Sequence, residues 1–282
     1  MPSKTTPFHH DSNPPWGAFK PRGINFLICI FVKLGLSHGK IKKFLQIICR
    51  KKHPIDIKYQ TVRIRCVVGK NNIENKLFLS SKLREREELA LLKTYLCKGG
   101  VFVDVGANIG YYSLMATTFG ASKVLAFEPN EIVRNRFEFN IRSNILENKI
   151  TCIPAALGTI EGSLPLSVDS NDLGAGTLIH NGTSNETKLV RVRRLDSVLK
   201  EYSVNKIDAL KIDVEGYEFE ALSPLLTMPS SLFPSLLIIE HVHKDLWEED
   251  IISLLIEKGY SVIGQNRANT FLHFSHGEEL DV

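Results

Sequence analysis

An α/β fold, layered around a mostly parallel sheet, is predicted by three features of this 282-residue chain. The run Val101-Phe102-Val103-Asp104-Val105 is apolar enough for a strand covered on both faces, and it empties into a glycine turn, Gly106 to Gly110, and then a helical pattern. A second apolar run, Lys123 to Phe127, ends in Glu128 and is followed by a helix-starting Pro-Asn pair. Further apolar runs alternate with helical ones down to the C-terminus, which is the rhythm of successive βαβ units.

Length and composition bound the problem. A chain of this size with 43% hydrophobic residues can form one large core plus an accessory region. The five cysteines, at 29, 49, 66, 97 and 152, form neither Cys-x-x-Cys pairs nor a dense disulfide pattern, which points to a reducing, cytoplasmic compartment. Charge is uneven: residues 1–52 hold ten Lys or Arg against Asp11 alone, or +9, so the other 230 residues carry −5 of the total +4.

Taken in order, Met1 to Pro21 is polar and Pro-rich and is expected to lack fixed structure. Ile24 to Leu36 is apolar but too short to span a bilayer, and no cleavage-site pattern follows it. Lys40 to Lys52 reads as a basic helix with Ile41, Phe44, Leu45 and Ile48 at helical spacing. It is either a membrane-surface helix, giving peripheral membrane contact, or a helix packed on the main domain with its lysines in water; the second pattern is the commoner one. Ile57 to Val68 alternates as a strand, with Val62, Ile64 and Cys66 on one face and Arg63 and Arg65 on the other, and Lys70-Asn71-Asn72 suggests a hairpin turn into Leu77 to Leu79. We therefore divide the chain into a basic accessory region, 1–80, and a main domain, 81–282.

The main domain opens with a helix, Leu83 to Leu96, that turns Leu89, Leu92 and Leu96 inward and Arg84 to Glu88 outward. After the strands at 101 and 123 come a helix from Asn130 to Asn144, a third strand at Ile150 to Pro154 and an extended segment at Leu164 to Val168. Residues 169–188 are polar and Gly-rich; so long a loop inside a compact domain suits either a substrate lid or a disordered insertion. It carries Asn-x-Thr sequons at Asn181 and Asn185, which matter only on a secretory route. Leu189 to Val192 is a short strand and Arg194-Leu195-Asp196 starts a helix. Ile207 to Ile212 and Leu236 to Ile239 are the fourth and fifth core strands, Asp245 to Lys258 is a helix, and Tyr260 to Ile263 pairs antiparallel with Thr270 to Phe274.

The glycine turn implies a nucleotide-like ligand, because a strand, a tight turn and a helix N-terminus together bring backbone close to it. A dinucleotide fingerprint requires Gly-x-Gly-x-x-Gly, whereas Asn108 holds the middle position here and Tyr111 the last, which weakens NAD as the cofactor. S-adenosylmethionine has no phosphate and carries a positive sulfonium, and Asp104 and Glu128 supply carboxylates for it. Glu128 lies 18 residues beyond Gly110, close to the roughly 20 at which a βαβ unit offers an acid to ribose hydroxyls.

Five ordered motifs carry a resemblance: Phe-Val-Asp-Val-Gly-Ala-Asn-Ile-Gly-Tyr-Tyr-Ser (102–113), Phe-Glu-Pro (127–129), Ala-Ala-Leu-Gly (155–158), Arg-Leu-Asp (194–196) and Lys-Ile-Asp-Val-Glu-Gly-Tyr-Glu (211–218). Over roughly residues 80–275 the chain resembles the FkbM family of S-adenosylmethionine-dependent methyltransferases. The resemblance implies a class I methyltransferase fold, a Rossmann-like three-layer sandwich on a seven-stranded sheet whose last strand is antiparallel. It also implies methylation of hydroxyl oxygens on sugars, polyketides and related small molecules. By position, Asp104, Gly106, Asn108 and Gly110 would line the methionine end of the cofactor, Glu128 would hold the ribose, and Ala155 and Ala156 would border the adenine. Cys152 to Gly158 departs from many class I enzymes in offering no acid to the adenine amino group.

Ligands of open α/β sheets bind at the carboxyl ends of the strands, so catalytic candidates are sought there. Asp213 is the leading base, with Lys211 two residues away on the same strand face to orient the acceptor or balance the acid. Glu215, beside Gly216, either contacts the acceptor or stabilises a helix N-terminus. Glu240 and His241, at the next strand tip, are further acid/base candidates, with His243 pointing the same way as His241 if the strand continues. Two histidines without a third ligand do not make a metal site, and none is assigned. The expected partner is a small-molecule or glycan hydroxyl, on a sugar, glycolipid or natural product, rather than nucleic acid. Two alternatives stay open: a macromolecule methyltransferase guided by the basic N-terminus, and a cofactor-binding protein without catalysis.

Overall fold

The computed structural model describes residues 14–37, 39–49, 54–69, 71–79, 85–168, 172, 174, 176–179 and 186–276. In chain order the elements are α1 (Ile24–Lys33), α2 (Gly39–Cys49), β1 (Pro54–Tyr59), β2 (Val62–Val67), α3 (Asn72–Phe78), α4 (Arg86–Leu96), β3 (Val101–Val105), α5 (Tyr111–Thr118), β4 (Lys123–Phe127) and α6 (Glu131–Asn144). They continue with β5 (Ile150–Ile153), β6 (Ala156–Leu157), β7 (Gly162–Val168), β8 (Glu186–Arg193), α7 (Leu195–Glu201), β9 (Ala209–Ile212), α8 (Glu218–Leu222), β10 (Leu236–Glu240), α9 (Ile251–Glu257), β11 (Ser261–Gln265) and β12 (Asn269–His273).

The central sheet runs β11-β12-β10-β9-β3-β4-β5. Pairing is parallel from β10 through β9, β3 and β4 to β5, and only β12 runs the other way, wedged between β10 and β11. This is the mostly parallel seven-stranded sheet with an antiparallel last strand. Its inner strands are apolar throughout because both faces are covered: Phe102, Val124 and Ala126 join Leu92, Leu114 and Phe137 from α4, α5 and α6 on one side. Val103, Val105 and Phe127 join Leu199, Leu222 and Leu255 from α7, α8 and α9 on the other. The chain leaves β3 for β4 and β5 in one direction and returns as β9 and β10 in the other. That reversal opens a crevice at the carboxyl ends of β3 and β9. A second, three-stranded sheet, β6-β8-β7, lends Ala156, Leu157 and Leu166 to a cavity at that crevice.

The region before the domain differs from expectation in two places. The hairpin turn falls at Gln60-Thr61, inside the segment predicted as one strand, and pairs Pro54–Tyr59 with Val62–Val67. Residues 72–78, expected to lead from a turn into a strand, form α3 instead. The reason is an N-cap: the Asn71 side chain accepts from the Ile73 and Glu74 amides and starts a helix. The hairpin is held to the domain by charge as well as packing. Arg65, fully buried, donates to both Asp56 oxygens at 2.7 and 3.0 Å and lies 4.0 Å from the Phe139 ring of α6. Asp56 also accepts from the Gly17 and Phe19 amides, and Arg65 donates to the Pro14 and Pro15 carbonyls. Residues 14–19, expected to be unstructured, are thereby tied down; residues 1–13 lie outside the described residues, as do Asn181 and Asn185.

Two further expectations change. Glu88, expected in water, is buried and accepts from the Asn266 and Asn269 side chains, while Arg84 lies outside the described residues. The helix expected from Asp245 begins at Ile251, where the Asp250 side chain caps the Ile252 and Ser253 amides; Lys244–Leu246 is a single 3-10 turn.

Asp56→Ala leaves a buried guanidinium without its counter-charge, and loss of one partner from such a pair costs about 3–5 kcal/mol. Urea unfolding of the variant is expected to show a midpoint lowered accordingly, with the Arg65→Met, Asp56→Leu double variant recovering most of the loss.

Candidate active site

The glycine turn at the end of β3 is closed by main-chain bonds from the Gly106 and Ala107 amides to the Phe127 carbonyl at the end of β4. Gly106 has φ +78°, and a Cβ there would collide with the Asp213 carbonyl beyond β9. Only glycine lets these strand tips approach so closely. Two cavities meet at this point and share Gly106, Gly174, Asp213 and Glu215.

The first, about 580 Å³ including its open mouth, has apolar walls of Val105, Phe127, Ala156 and Leu157, with Glu128 and Tyr217 at its polar side. Glu128 accepts from the Asn108 amide at 2.9 Å through one oxygen and from the Asn130 amide at 2.8 Å through the other. Burial pushes its carboxyl up to about 7, against those two amides. The second cavity is an open cleft of about 930 Å³, lined among others by Asn108, Tyr112, Lys211, Glu240 and Asn269.

Charge in the cleft is organised around Lys211. Its ammonium donates to Asp213 at 3.0 Å and sits 4.5 Å from the centre of the Tyr112 ring. Burial disfavours the ammonium, but Asp213, Asp104 and Glu85 more than offset it, so Lys211 is held above its usual range. Asp213 responds in the opposite sense: burial would raise its carboxyl, yet Lys211 keeps it below the usual carboxylate range. Glu240 is pushed well up by burial and by the neighbouring charges of Asp213 and Glu215, so it stays protonated at neutral pH. One Glu240 oxygen, Oε2, is buried without a hydrogen-bond partner. Two facing carboxyl groups therefore hold opposite protonation states, the arrangement that separates a base from an acid.

Of the residues predicted from sequence, Gly106, Asn108, Glu128, Ala156, Lys211, Asp213, Glu215 and Glu240 line one cavity or both. Four do not. Asp104 is 1% exposed beneath the turn, where it accepts from Ser113 Oγ at 2.6 Å; it is the register partner of Lys211 on the adjacent strand, and burial raises its carboxyl to about 6. Gly110 caps α5 at φ +85°, where a Cβ would collide with the Phe137 ring. Ala155 is buried in the core. His241 turns its ring to Thr270 Oγ1 at 2.9 Å because β10 ends at Glu240, and the turn that follows sends His243 to Glu215 instead, at 3.2 Å. Among the described residues no cluster of three potential metal ligands occurs.

Other contributors were not assigned from sequence. Asn71 donates to Asn108 Oδ1 at 2.7 Å, bringing the pre-domain region to the glycine turn. Glu85, expected in water, lines the cleft. Glu218, the last residue of the Lys-Ile-Asp motif, accepts from the Val214 and Gly216 amides through one oxygen and from Trp247 Nε1 through the other. It thereby holds the turn in which Glu215 adopts φ +56°. Its place within the motif was the available signal. The described residues of the 169–188 loop lie over both cavities: Gly174 borders each, Asp172 accepts from the Asn72 amide, and Thr177 pairs with Ser167 while its hydroxyl donates to the Glu215 carbonyl.

Residues 104–262, more than half of the chain, match the Methyltransferase FkbM domain. The chain belongs to the FkbM methyltransferase family. Among relatives of this FkbM methyltransferase, methyltransferase sdnD of Sordaria araneosa is 29% identical over 195 residues, covering 57% of this chain and 73% of the relative. Hexuronic acid methyltransferase AglP of Haloferax volcanii is 28% identical over 174 residues, covering 61% and 68%. Among solved structures, a SAM-dependent methyltransferase from Agrobacterium tumefaciens superposes with a TM-score of 0.43 at 13% identity, covering 79% of this chain and 70% of that one.

Glu240 is protonated in the folded protein and ionised in the unfolded chain above its ordinary value of 4.5, so the unfolded state binds fewer protons and stability falls as pH rises from there through neutrality. Glu240→Gln removes this dependence, which amounts to at most about 1.4 kcal/mol per pH unit. Urea midpoints measured at about pH 5 and about pH 8 are expected to differ less for the variant than for the parent protein.

Proposed function

We propose that this FkbM methyltransferase uses S-adenosylmethionine to methylate a hydroxyl oxygen on a sugar, glycolipid or natural product. The observation that carries the reading is the carboxyl pair of the cleft, with ionised Asp213 beside protonated Glu240, whose buried Oε2 lacks a partner. An acceptor with neighbouring hydroxyls would satisfy both groups at once, donating from one to Asp213 and accepting from Glu240 at the other. The similarity to AglP, a hexuronic acid methyltransferase, supports a sugar-like acceptor.

The first cavity fits the cofactor. Each Glu128 oxygen holds one main-chain amide and keeps a second lone pair for ribose hydroxyls. Ala156, Leu157 and Phe127 offer an apolar face to an adenine ring, consistent with the missing acid on that segment. Gly106 leaves open the junction between the two cavities. When bound, S-adenosylmethionine supplies a methyl group on a positively charged sulfur.

The protein's own part is alignment and proton handling. Residues lining the second cavity position the acceptor so that its oxygen faces the junction, and orientation of this kind is worth roughly 7–11 kcal/mol of barrier. Asp213 would take the hydroxyl proton as the acceptor oxygen bonds to the methyl carbon and the carbon–sulfur bond breaks, its electron pair staying on sulfur. Lys211 keeps Asp213 ionised beforehand, and the Tyr112 ring over its ammonium holds that charge in place. Glu240 donates its proton as a hydrogen bond to a second acceptor oxygen and so fixes the orientation.

Asp213→Asn is expected to lower kcat by about 10²- to 10⁴-fold, the usual contribution of a general base. A labelled-methyl transfer screen over sugars, glycolipids and polyketide alcohols reads this out, and full activity in the variant would remove Asp213 from the mechanism. Calorimetry with S-adenosylmethionine and with NAD tests the cofactor, since binding of NAD alone would overturn the reading.

A further inference from the structure

Among the described residues the most unusual surface outside the two cavities lies on α1 and α2. A stripe of α1, Ile28 and Val32, packs with Leu45 of α2 against Ile55, Val68, Phe78 and Leu79. Apart from Asn25 and Lys33 the rest of α1 is apolar too, and much of it faces outward: Phe26, Leu27 and Phe31 are exposed, and Leu34 just beyond the helix is 67% exposed. On α2 the exposed residues Ile41, Phe44 and Ile47 form a second apolar stripe. Elsewhere among the described residues large exposed apolar side chains are scattered, which is ordinary; here nine of them fall on two helices that share one buried cluster and on the residue after the first, which is not.

Charge identifies what covers this face. Residues 12–55 contain nine Lys or Arg and no Asp or Glu. A groove of about 1300 Å³ between α1 and β1 combines apolar Phe26, Val32 and Phe78 with Lys20, Lys33 and Lys58, and its one acid, Asp56, is engaged by Arg65. A second copy docked on the same face would bring like charges together around the contact. An anionic lipid surface instead takes apolar side chains into its acyl boundary and meets the lysines with headgroups. The helices, 10 and 11 residues long, are too short to cross a bilayer, and no helix among the described residues is long and apolar enough to do so.

We propose that α1, α2 and the groove beneath them form a docking face on which the protein lies against an anionic lipid bilayer. The element that joins this face to the site is α3. Phe78 packs under the two helices, while Asn72, Ile73 and Lys76 line the second cavity. Docking thus sets one wall of the acceptor cleft close to the membrane surface.

The test is flotation of the full chain with vesicles of phosphatidylcholine alone and of phosphatidylcholine with phosphatidylglycerol, at low and at high salt. Binding is expected on the anionic vesicles, weaker on the neutral ones and weaker at high salt. Leu27→Asp and Phe44→Asp should each lower the partition coefficient by about tenfold or more, because both side chains are already in water and the fold does not depend on them. Urea midpoints of the variants should match the parent. Failure of the parent chain to float overturns the proposal, as does binding that neither substitution weakens. It is equally overturned by a lipid-independent dimer, seen by sedimentation velocity, that Leu27→Asp converts to monomer. Flotation involves no methyl transfer, so its outcome is separate from that of the acceptor screen.

Discussion

Lys211 carries its ammonium 2% exposed in the middle of the sheet, and a charge so placed persists only with opposite charges close by. Asp213 supplies one at 3.0 Å and Asp104, its register partner on β3, supplies another from beneath. From this constraint the rest of the site follows. Asp213 stays ionised because of Lys211; Glu240 stays protonated because of its burial and then the charges of Asp213 and Glu215. Asp104 in turn holds Ser113 and so the start of α5, which carries Tyr112 over the same ammonium. One buried cation thereby couples three strands, a helix and the protonation states of two carboxyl groups.

A second buried cation does the corresponding work for the region before the domain. Arg65 joins the hairpin to residues 14–19 through Asp56 and to α6 through the Phe139 ring, while its amide donates to Asn140. The Glu74–Arg136 pair, also fully buried, fastens α3 to α6 at 2.7 Å. These contacts make the pre-domain segment part of the site, since α3 supplies a wall of the cleft and Asn71 reaches the glycine turn. They also leave α1 and α2 as a platform with its outer face bare.

Legibility in the sequence followed the range of the interaction. The strands at 101, 123, 150, 209 and 236 could be read because their apolar runs are local signals of burial on both faces. The strand-tip acids Asp213 and Glu240 could be read because position on such a strand dictates direction. Where neighbours distant in sequence decide, the reading failed. Glu88 looks like one of a solvent-facing charge run until Asn266 and Asn269 are brought to it from the far end of the chain. His241 follows the tip of β10, but its ring meets Thr270, which β12 brings from 29 residues away.

The amino-acid sequence by itself determined the sheet's composition, the glycine turn, the family and most residues of the two cavities, because periodicity and motif order are properties of short segments. Tertiary structure alone decided which of those residues line a cavity and which, like Asp104 and Gly110, lie behind it. It alone decided that Asp213 and Glu240 hold opposite protonation states, and that α1 and α2 turn an apolar face outward. Protonation and exposure both depend on what stands within a few ångströms, and in a folded chain those neighbours come from anywhere in the sequence.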